Sequence, residues 1–362
     1  MAGAYFPFVY VYFTELGITG EQVGWLSVLA PVMTMLFSTA ISSLADRAHK
    51  RARLAQVTMT GAAICVFLLR FPDTFSGIAL LMVFFAIFSS PIMALTDSLI
   101  ARMAKRHTLN YGGMRLWGSF GFAMSAVVFG ALWQNLGFEP MFLTAALFYL
   151  PLIWITGKLE EGPVNSQEKR VPVSILIRNS GTVLLLLATF LAGISNSLFM
   201  TFGGIYARWV GGGNFLIGLM IAFGGIAELP TMLYSNRISN RLGKTNTAIL
   251  SYGLMAAAYL GYILMTDANF LPLFSILKGL GYGLWFTVTV RLLVERTPDE
   301  WAATAQSLLA ICWFGLSPLV AGPLGGWIHD VISPKAVFGL GIITLGMAAL
   351  VLWFAKLRGK LD

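Results

Sequence analysis

Charge is what this chain has least of. Only 11% of its residues are Asp, Glu, Lys or Arg against 57% hydrophobic ones, and its mean hydropathy is +0.77. Soluble domains carry about a quarter charged residues, so a water-solvated globular fold is excluded and lipid must be the solvent. Cysteine is nearly absent: Cys65 and Cys312 each stand inside an apolar stretch, which leaves no disulfide framework. The three histidines, His49, His107 and His329, lie in or beside different loops, so no metal-ligand cluster is read and no metal or other cofactor is expected. A basic region ahead of the first apolar run is also missing, because Met1 leads straight into Ala2 to Phe13, and no cleavable signal peptide is read. The net charge of +8 would suit nucleic acid. Its cations, however, fall in short loops between apolar segments, where they act as topology signals, so nucleic acid is not an expected partner. No pattern points to an enzyme.

What is present is a series of spans, which makes this an all-α polytopic membrane protein. Eleven stretches approach the roughly 17 to 25 residues that cross a bilayer core: approximately Val23 to Leu44, Leu54 to Leu69, Phe75 to Ile100, Met114 to Trp133, Met141 to Thr156, Gly181 to Trp209, Leu216 to Ser235, Ala248 to Met265, Leu271 to Val294, Thr304 to Trp327 and Ala336 to Ala355. Gly3 to Phe13 is little over half a span and is read as the end of a first helix, incomplete at the N-terminus, which makes twelve. Twenty Lys and Arg fall on one set of loops, and three, Arg70, Arg208 and Lys335, on the other, with Lys278 left inside a span. By the positive-inside rule the crowded face, C-terminus included, is cytoplasmic, and an inner (plasma) membrane is the expected location. The longest hydrophilic stretch, Lys158 to Asn179 with Pro163 and Pro172, is read as a cytoplasmic linker, 158–179, between a six-helix bundle of residues 1–157 and another of residues 180–362. The halves echo each other: the second span of one leads into Ala45-Asp46-Arg47-Ala48-His49-Lys50-Arg51 and that of the other into Asn240-Arg241-Leu242-Gly243-Lys244. A repeat on this scale fits a transporter built from two pseudo-symmetric bundles.

Ionisable residues inside the spans are costly and therefore informative. Asp97 and Arg115 flank a short polar bend, Ala101 to Asn110, so each sits about two turns, roughly 9 Å, from the same membrane face and they can meet. They are read as a substrate or ion site, with a purely structural ion pair as the alternative. Glu228, deep in the eighth span, is a proton-exchange candidate, and its alternative is a carboxyl tied to local hydrogen bonds. Lys278 is read as a solute ligand, a counter-ion to Glu228, or a lysine snorkelling to the outer interface. Ser195-Asn196-Ser197 supplies uncharged polar groups for a cavity or for helix–helix contact. Tyr5, Tyr10, Trp117, Phe122 and Trp313 could stack on a ring, although most aromatics in a chain with 13% of them pack or face lipid. Gly243-Lys244-Thr245 is not a phosphate loop, because Ile238 stands where the first glycine is required. Gly279, Gly281 and Gly283 read as small residues that let helices approach.

Several of these motifs carry a resemblance. The Asp46-Arg47 loop resembles the signature loop of the major facilitator superfamily, departing at both glycines, which are Ser42 and His49 here. Tyr111-Gly112-Gly113-Met114-Arg115-Leu116-Trp117-Gly118-Ser119-Phe120-Gly121, with Pro91, Asp97 and Ala227-Glu228-Leu229-Pro230, is similar to the branch containing the phenylpropionate, nucleoside and oligosaccharide proton symporters, with lactose permease more distant. The resemblance implies the major facilitator fold. It also matches Asp97 and Arg115 to solute-binding residues, and Glu228 and Lys278 to charged residues of helices 8 and 10. With the reading of the residues themselves, the expected solute site is Asp97, Arg115, Ser119, Phe122, Asn196 and Lys278, proton coupling falls to Glu228 and Asp97 as the membrane-depth carboxylates, and the expected gating loops lie around Asp46, Arg47 and Arg241. The lactose permease histidine and glutamate on helix 10 fall at Gly281 and Leu284, so its coupling machinery does not carry over. The expected function is secondary active transport of a small organic solute, as proton symport of a small carboxylate that can carry an aromatic ring. An uncoupled facilitator or exporter of a neutral sugar or nucleoside and a non-transporting membrane sensor stay open. The expected partners are the solute, a proton and the bilayer, and the chain is expected to be a monomer.

The loop charges generate a direct test of orientation. A reporter active only in the cytoplasm, fused after Asp362, should be active, and an outward-active reporter there should be silent. The reverse result would overturn the assignment of faces.

Overall fold

A computed structural model describes residues 1–361 apart from 39, 42–43, 45–49, 109–110, 160–178 and 299–300, with the side chains of 105, 111–116 and 303 also outside the description. Hydrocarbon offers no hydrogen bonds to backbone amides, so a chain this apolar must satisfy them within helices. Among the described residues the helices fall into twelve successive rods. These are α1 (Ala2–Tyr5 and Val9–Glu15), α2 (Gly20–Met33 running into a π-turn, Thr34–Ser38), α3 (Arg51–Leu68), α4 (Phe75–Ser89 and Ile92–Arg106), α5 (Tyr111–Leu136) and α6 (Met141–Leu147 and Tyr149–Thr156). They continue as α7 (Ser180–Trp209), α8 (Asn214–Leu242), α9 (Lys244–Leu264), α10 (Leu271–Val294), α11 (Ala302–Ala310, a π-turn Ile311–Leu316, then Ser317–Val331) and α12 (Pro334–Leu357). Seven helical runs among the described residues are long and apolar enough to cross a membrane.

Local chemistry places several of the breaks and ends. α1 is interrupted around Pro7 and α4 at Pro91, because proline lacks the amide a continuing helix needs. Thr19 starts α2 with a reciprocal cap to Gln22, the Asn179 side chain accepts from Gly181 and Thr182 at the start of α7, and Ser333 accepts from Ala336 at the start of α12. α8 turns into α9 through Gly243 at φ +82°, a left-handed conformation that a Cβ would oppose.

The rods pack as two six-helix bundles, α1–α6 and α7–α12. In the first, α3 packs on α4 and α6, and α1 on α5 and α6. In the second, α10 packs on α8 and α9, and α12 on α7 and α9. The two bundles meet through α2 against α11, α5 against α8, and α1 against α7. The first two pairings exchange when each helix number is advanced by six, as a two-fold repeat requires. The expected linker at 158–179 falls almost wholly outside the described residues.

Glycine governs how closely these helices approach. A Cβ on Gly279 of α10 would overlap the Gly224 backbone of α8, and one on Gly283 would lie 2.6 Å from the Glu228 carbonyl oxygen. Such contacts are how helices associate in a solvent as apolar as their own side chains. Gly279→Val should therefore force α8 and α10 apart and destabilise the protein by about 1–3 kcal/mol. Thermal unfolding of the detergent-purified variant measures this, and an unchanged midpoint would contradict the tight contact.

Candidate functional site

Among the described residues the most buried charged side chain is Lys278, about two turns into α10 and only 4% exposed. It does not snorkel. Its ammonium stands 4.4 Å from the ring centre of Phe199 on α7 and 5.6 Å from that of Tyr282, one turn along α10. A cation over aromatic faces gains about 0.5–2 kcal/mol, which offsets part of the cost of keeping it from water. Among the described residues no oxygen accepts a hydrogen bond from this ammonium and no carboxylate lies within 4.0 Å. Tyr282 in turn packs on Trp285 and Trp313, which stack on each other with ring centres 3.5 Å apart. Among the described residues the indole N–H of Trp313 lacks a hydrogen-bond partner.

Glu228 is half-buried on α8. Because Gly279 rests on Gly224 and Gly283 on Glu228, Lys278 and Glu228 differ in height by five residues, a little over one turn or about 7.5 Å. Their charges act on each other, but beyond ion-pair distance. A separated pair of this kind leaves room between its members for a third group. Asn196, one turn before Phe199 on α7, is 6% exposed, and its side-chain oxygen has no donor among the described residues. Its neighbour Ser195 faces away into packing: its carbonyl accepts from the Tyr259 hydroxyl at 3.0 Å, beside Gly341 of α12.

The other bundle contributes Asp97, half-buried on the second segment of α4. That segment packs against α3 and α5. Asp97 adjoins Ser98, whose hydroxyl accepts a hydrogen bond from the buried Arg51 at the start of α3. Arg51 counted as a loop cation in the sequence, and only the fold shows it tucked beside Asp97's helix. Arg115 lies on α5, but its side chain falls outside the described residues, so the expected Asp97–Arg115 contact does too. Ser119 is exposed on α5, and Phe122 is half-buried one turn further along. Trp313 and Tyr5 are packed inside, Tyr5 edge-on to Phe85. Of the gating loops, Asp46 and Arg47 fall outside the described residues, and Arg241 is exposed in the last turn of α8. Near it the structure adds contacts the sequence did not single out: Arg291 donates to Asn236 at 2.5 Å and Ser239 at 3.2 Å, and Lys244 pairs with Glu295. Among the described residues no cluster of three His, Cys, Asp or Glu could hold a metal.

The bundles meet unevenly. The face bearing Arg70, Arg208 and Lys335 is poor in cations, and at that end a Cβ on Gly24 would overlap the Gly322 carbonyl and one on Gly218 the Ala126 carbonyl. At the cation-rich end residues 117–121 of α5 are all exposed, as are residues 34–37 of α2. Each run covers a full turn, so both helices are only loosely covered here, with Met35 still touching Gly315 of α11. A Cβ on Gly118 or Gly121 would meet nothing within 4 Å. Among the described residues the bundles are therefore in closer contact at the cation-poor end than at the other.

Twelve rods in two exchangeable sets, parted by a one-sided cleft with a charge pair at helix depth, agree with the sequence profile of the MFS_1 like family, which matches residues 1–340. The chain belongs to the major facilitator superfamily. Maltose permease of Geobacillus stearothermophilus is 28% identical to it, covering 99% of this chain and 92% of that one. The probable 3-phenylpropionic acid transporter of Escherichia coli (strain K12) is 24% identical over 95% of this chain and 91% of its own. A putative nucleoside transporter of the same organism, YegT, is 22% identical over 90% and 80%. Among solved structures, that of the nucleoside transporter NupG superposes with a TM-score of 0.83 at 15% identity, covering 99% of this chain and 96% of that one. An inward-facing, occupied bacterial homologue of the lysosomal transporter Spinster gives 0.76 at 13% identity, over 99% and 94%. As a major facilitator transporter, the chain places its cleft between the bundles and Lys278 in the second of them.

Replacing a buried ammonium by an apolar side chain of similar length removes a desolvation cost. Lys278→Met should leave the unfolding midpoint unchanged or higher while transport falls at least tenfold. A large loss of stability would instead make Lys278 a structural residue.

Proposed function

We propose that the protein is a proton-coupled symporter of a small carboxylate, one that can carry an aromatic ring, moved by alternating access between the bundles 1–157 and 180–362 joined by the linker 158–179. The observation that carries this reading is the Lys278 ammonium, buried over Phe199 with no oxygen acceptor among the described residues. A buried cation without an acceptor favours an anion that supplies one. The solute carboxylate meets Lys278, Asn196 donates or accepts beside it, and Asp97, Arg115, Ser119 and Phe122 complete the site from the first bundle. Glu228 is the exchangeable proton carrier, with Asp97 as the second membrane-depth carboxylate. Counting only groups away from the interfaces, and so leaving out Arg51 at the start of α3, ionised Asp97 and Glu228 cancel Arg115 and Lys278, and protonating Glu228 leaves one positive charge for a monoanion to neutralise. Asp46, Arg47 and Arg241 act as gating residues of the cytoplasmic loops. The cation-poor end is outer, the protein sits as a monomer in the plasma membrane, and the conformation described is inward-open.

A second reading, transport of a neutral sugar or nucleoside, draws on the proximity of Glu228 to Lys278, since an ionised Glu228 already balances the lysine. The relatives whose names mention maltose and nucleosides are consistent with it.

The two readings separate in proteoliposomes under an inward proton gradient. Uptake of an aromatic acid such as 3-phenylpropionate should exceed that of its amide by at least tenfold, and Glu228→Gln should lose gradient-driven accumulation while retaining exchange. Equal uptake of acid and amide would favour the neutral solute, and undiminished accumulation by Glu228→Gln would remove Glu228 from coupling.

A further inference from the structure

The first turn of a helix presents amide groups with no partner inside the helix. α2 begins at Gly20, and its cap Thr19 satisfies only the Gln22 amide, at 3.2 Å. The Gly20 and Glu21 amides instead donate to the two carboxylate oxygens of Asp330, at 2.9 and 2.8 Å. Asp330 belongs to the last turn of α11, in the other bundle. His329 holds it from the side, with Nδ1 2.8 Å from the same oxygen that receives Gly20, and the His329 ring stacks on Phe202 of α7. Gly20 leaves the space this needs, because a Cβ there would overlap Asp330 and His329.

The opposite seam repeats the arrangement with different residues. α8 begins after Gly213, which has no side chain to cap it. The Phe215 amide donates to the side-chain oxygen of Gln134, in the last turn of α5, at 3.0 Å, and Asn214 donates to the Trp133 carbonyl at 3.2 Å. Gly213 again makes room, since a Cβ would collide with Gln134. α2 and α8 are equivalent in the repeat, as are α11 and α5. Each seam thus ends with a side chain of one bundle capping the first turn of a helix in the other. With the Glu15–Arg208 ion pair of α1 and α7, these are the hydrogen bonds that join the bundles among the described residues, and all lie at the cation-poor end.

We propose that Asp330 and Gln134 are paired latch residues that set the equilibrium between the two access states of the transporter, acting through the α2 and α8 first turns and not through the solute. Opening this end separates each cap from its helix and leaves amides to water. The carboxylate latch holds harder than the amide latch, because it accepts two hydrogen bonds with a full charge at the positive end of a helix. Asp330→Asn keeps one acceptor oxygen and loses the charge, so the open population should rise about tenfold. Gln134→Leu should raise it less.

The test uses full-length protein in oriented membrane vesicles with Cys65 and Cys312 replaced by alanine. One reporter cysteine is placed at Ser27, buried in the α2–α11 seam, and another, in a separate variant, at Gly121, exposed at the cation-rich end. A membrane-impermeant maleimide applied from each side reads both. Asp330→Asn should speed labelling at Ser27 about tenfold and slow it at Gly121. Gln134→Leu should do the same more weakly, the double variant should exceed either, and Asp330→Glu, which keeps both oxygens, should restore slow labelling at Ser27. Labelling at the parent rate in both Asp330→Asn and Gln134→Leu would overturn the proposal. So would faster labelling at Ser27 with no change at Gly121, which would mean local fraying. If Asp330→Asn does not reach the membrane, the Gln134→Leu pair of measurements decides by the same criteria.

Discussion

Backbone-to-backbone contact between helices is the constraint on which the rest of this molecule depends. In hydrocarbon no hydrophobic force drives helices together, so association rests on close fit. Close fit requires residues without bulk at the crossing points. Gly24 with Gly322 brings α2 to α11, Gly218 with Ala126 brings α8 to α5, and Gly224 with Gly279 brings α8 to α10. The first two contacts close one end of the cleft. The third fixes the height of Lys278 relative to Glu228, and so the spacing of the charge pair within the site.

That spacing gives the site its character. Had Glu228 and Lys278 met directly, the pair would be neutral and self-satisfied, a structural tie between α8 and α10. Held about a turn apart, each keeps unmet capacity: the lysine rests on aromatic faces, and no described group donates a side-chain hydrogen bond to the carboxylate. Aromatic faces stabilise a cation without supplying an oxygen, so they keep Lys278 inside the bundle while leaving its hydrogen bonds available. The stack of Tyr282, Trp285 and Trp313 extends this surface to the π-turn of α11. The seam between α2 and α11 therefore comes close to the residues that surround the lysine, since Gly315 of the same π-turn touches Met35.

The unequal ends of the cleft have a similarly local cause. At the cation-poor face Gly24, Gly218 and Gly322 stand at crossing points and let backbones touch, whereas toward the other face Met35, Leu36, Trp117 and Phe120 are exposed. Capping of α2 and α8 from across the seam adds hydrogen bonds at the end where contact is already close, so packing and polar interactions favour the same closed end.

Much of this was legible in the sequence. The number of spans followed from hydrophobic length, and the two-bundle plan from the central hydrophilic stretch and the echoed loops, because these depend on composition over many residues. The depth of Glu228 and Lys278 was legible for the same reason: 1.5 Å per residue converts position into height. What composition cannot encode is direction around a helix and contact across a seam. Lys278 had three readings in the sequence, and only the position of Phe199, on a helix some eighty residues earlier, excluded snorkelling. Arg51 looked like one loop cation among many until α3 and α4 packed and buried it beside Ser98. Asp330 and Gln134 carried no motif at all, since each caps a helix remote in the chain, and hydrogen bonds of that kind exist only once the two bundles have met.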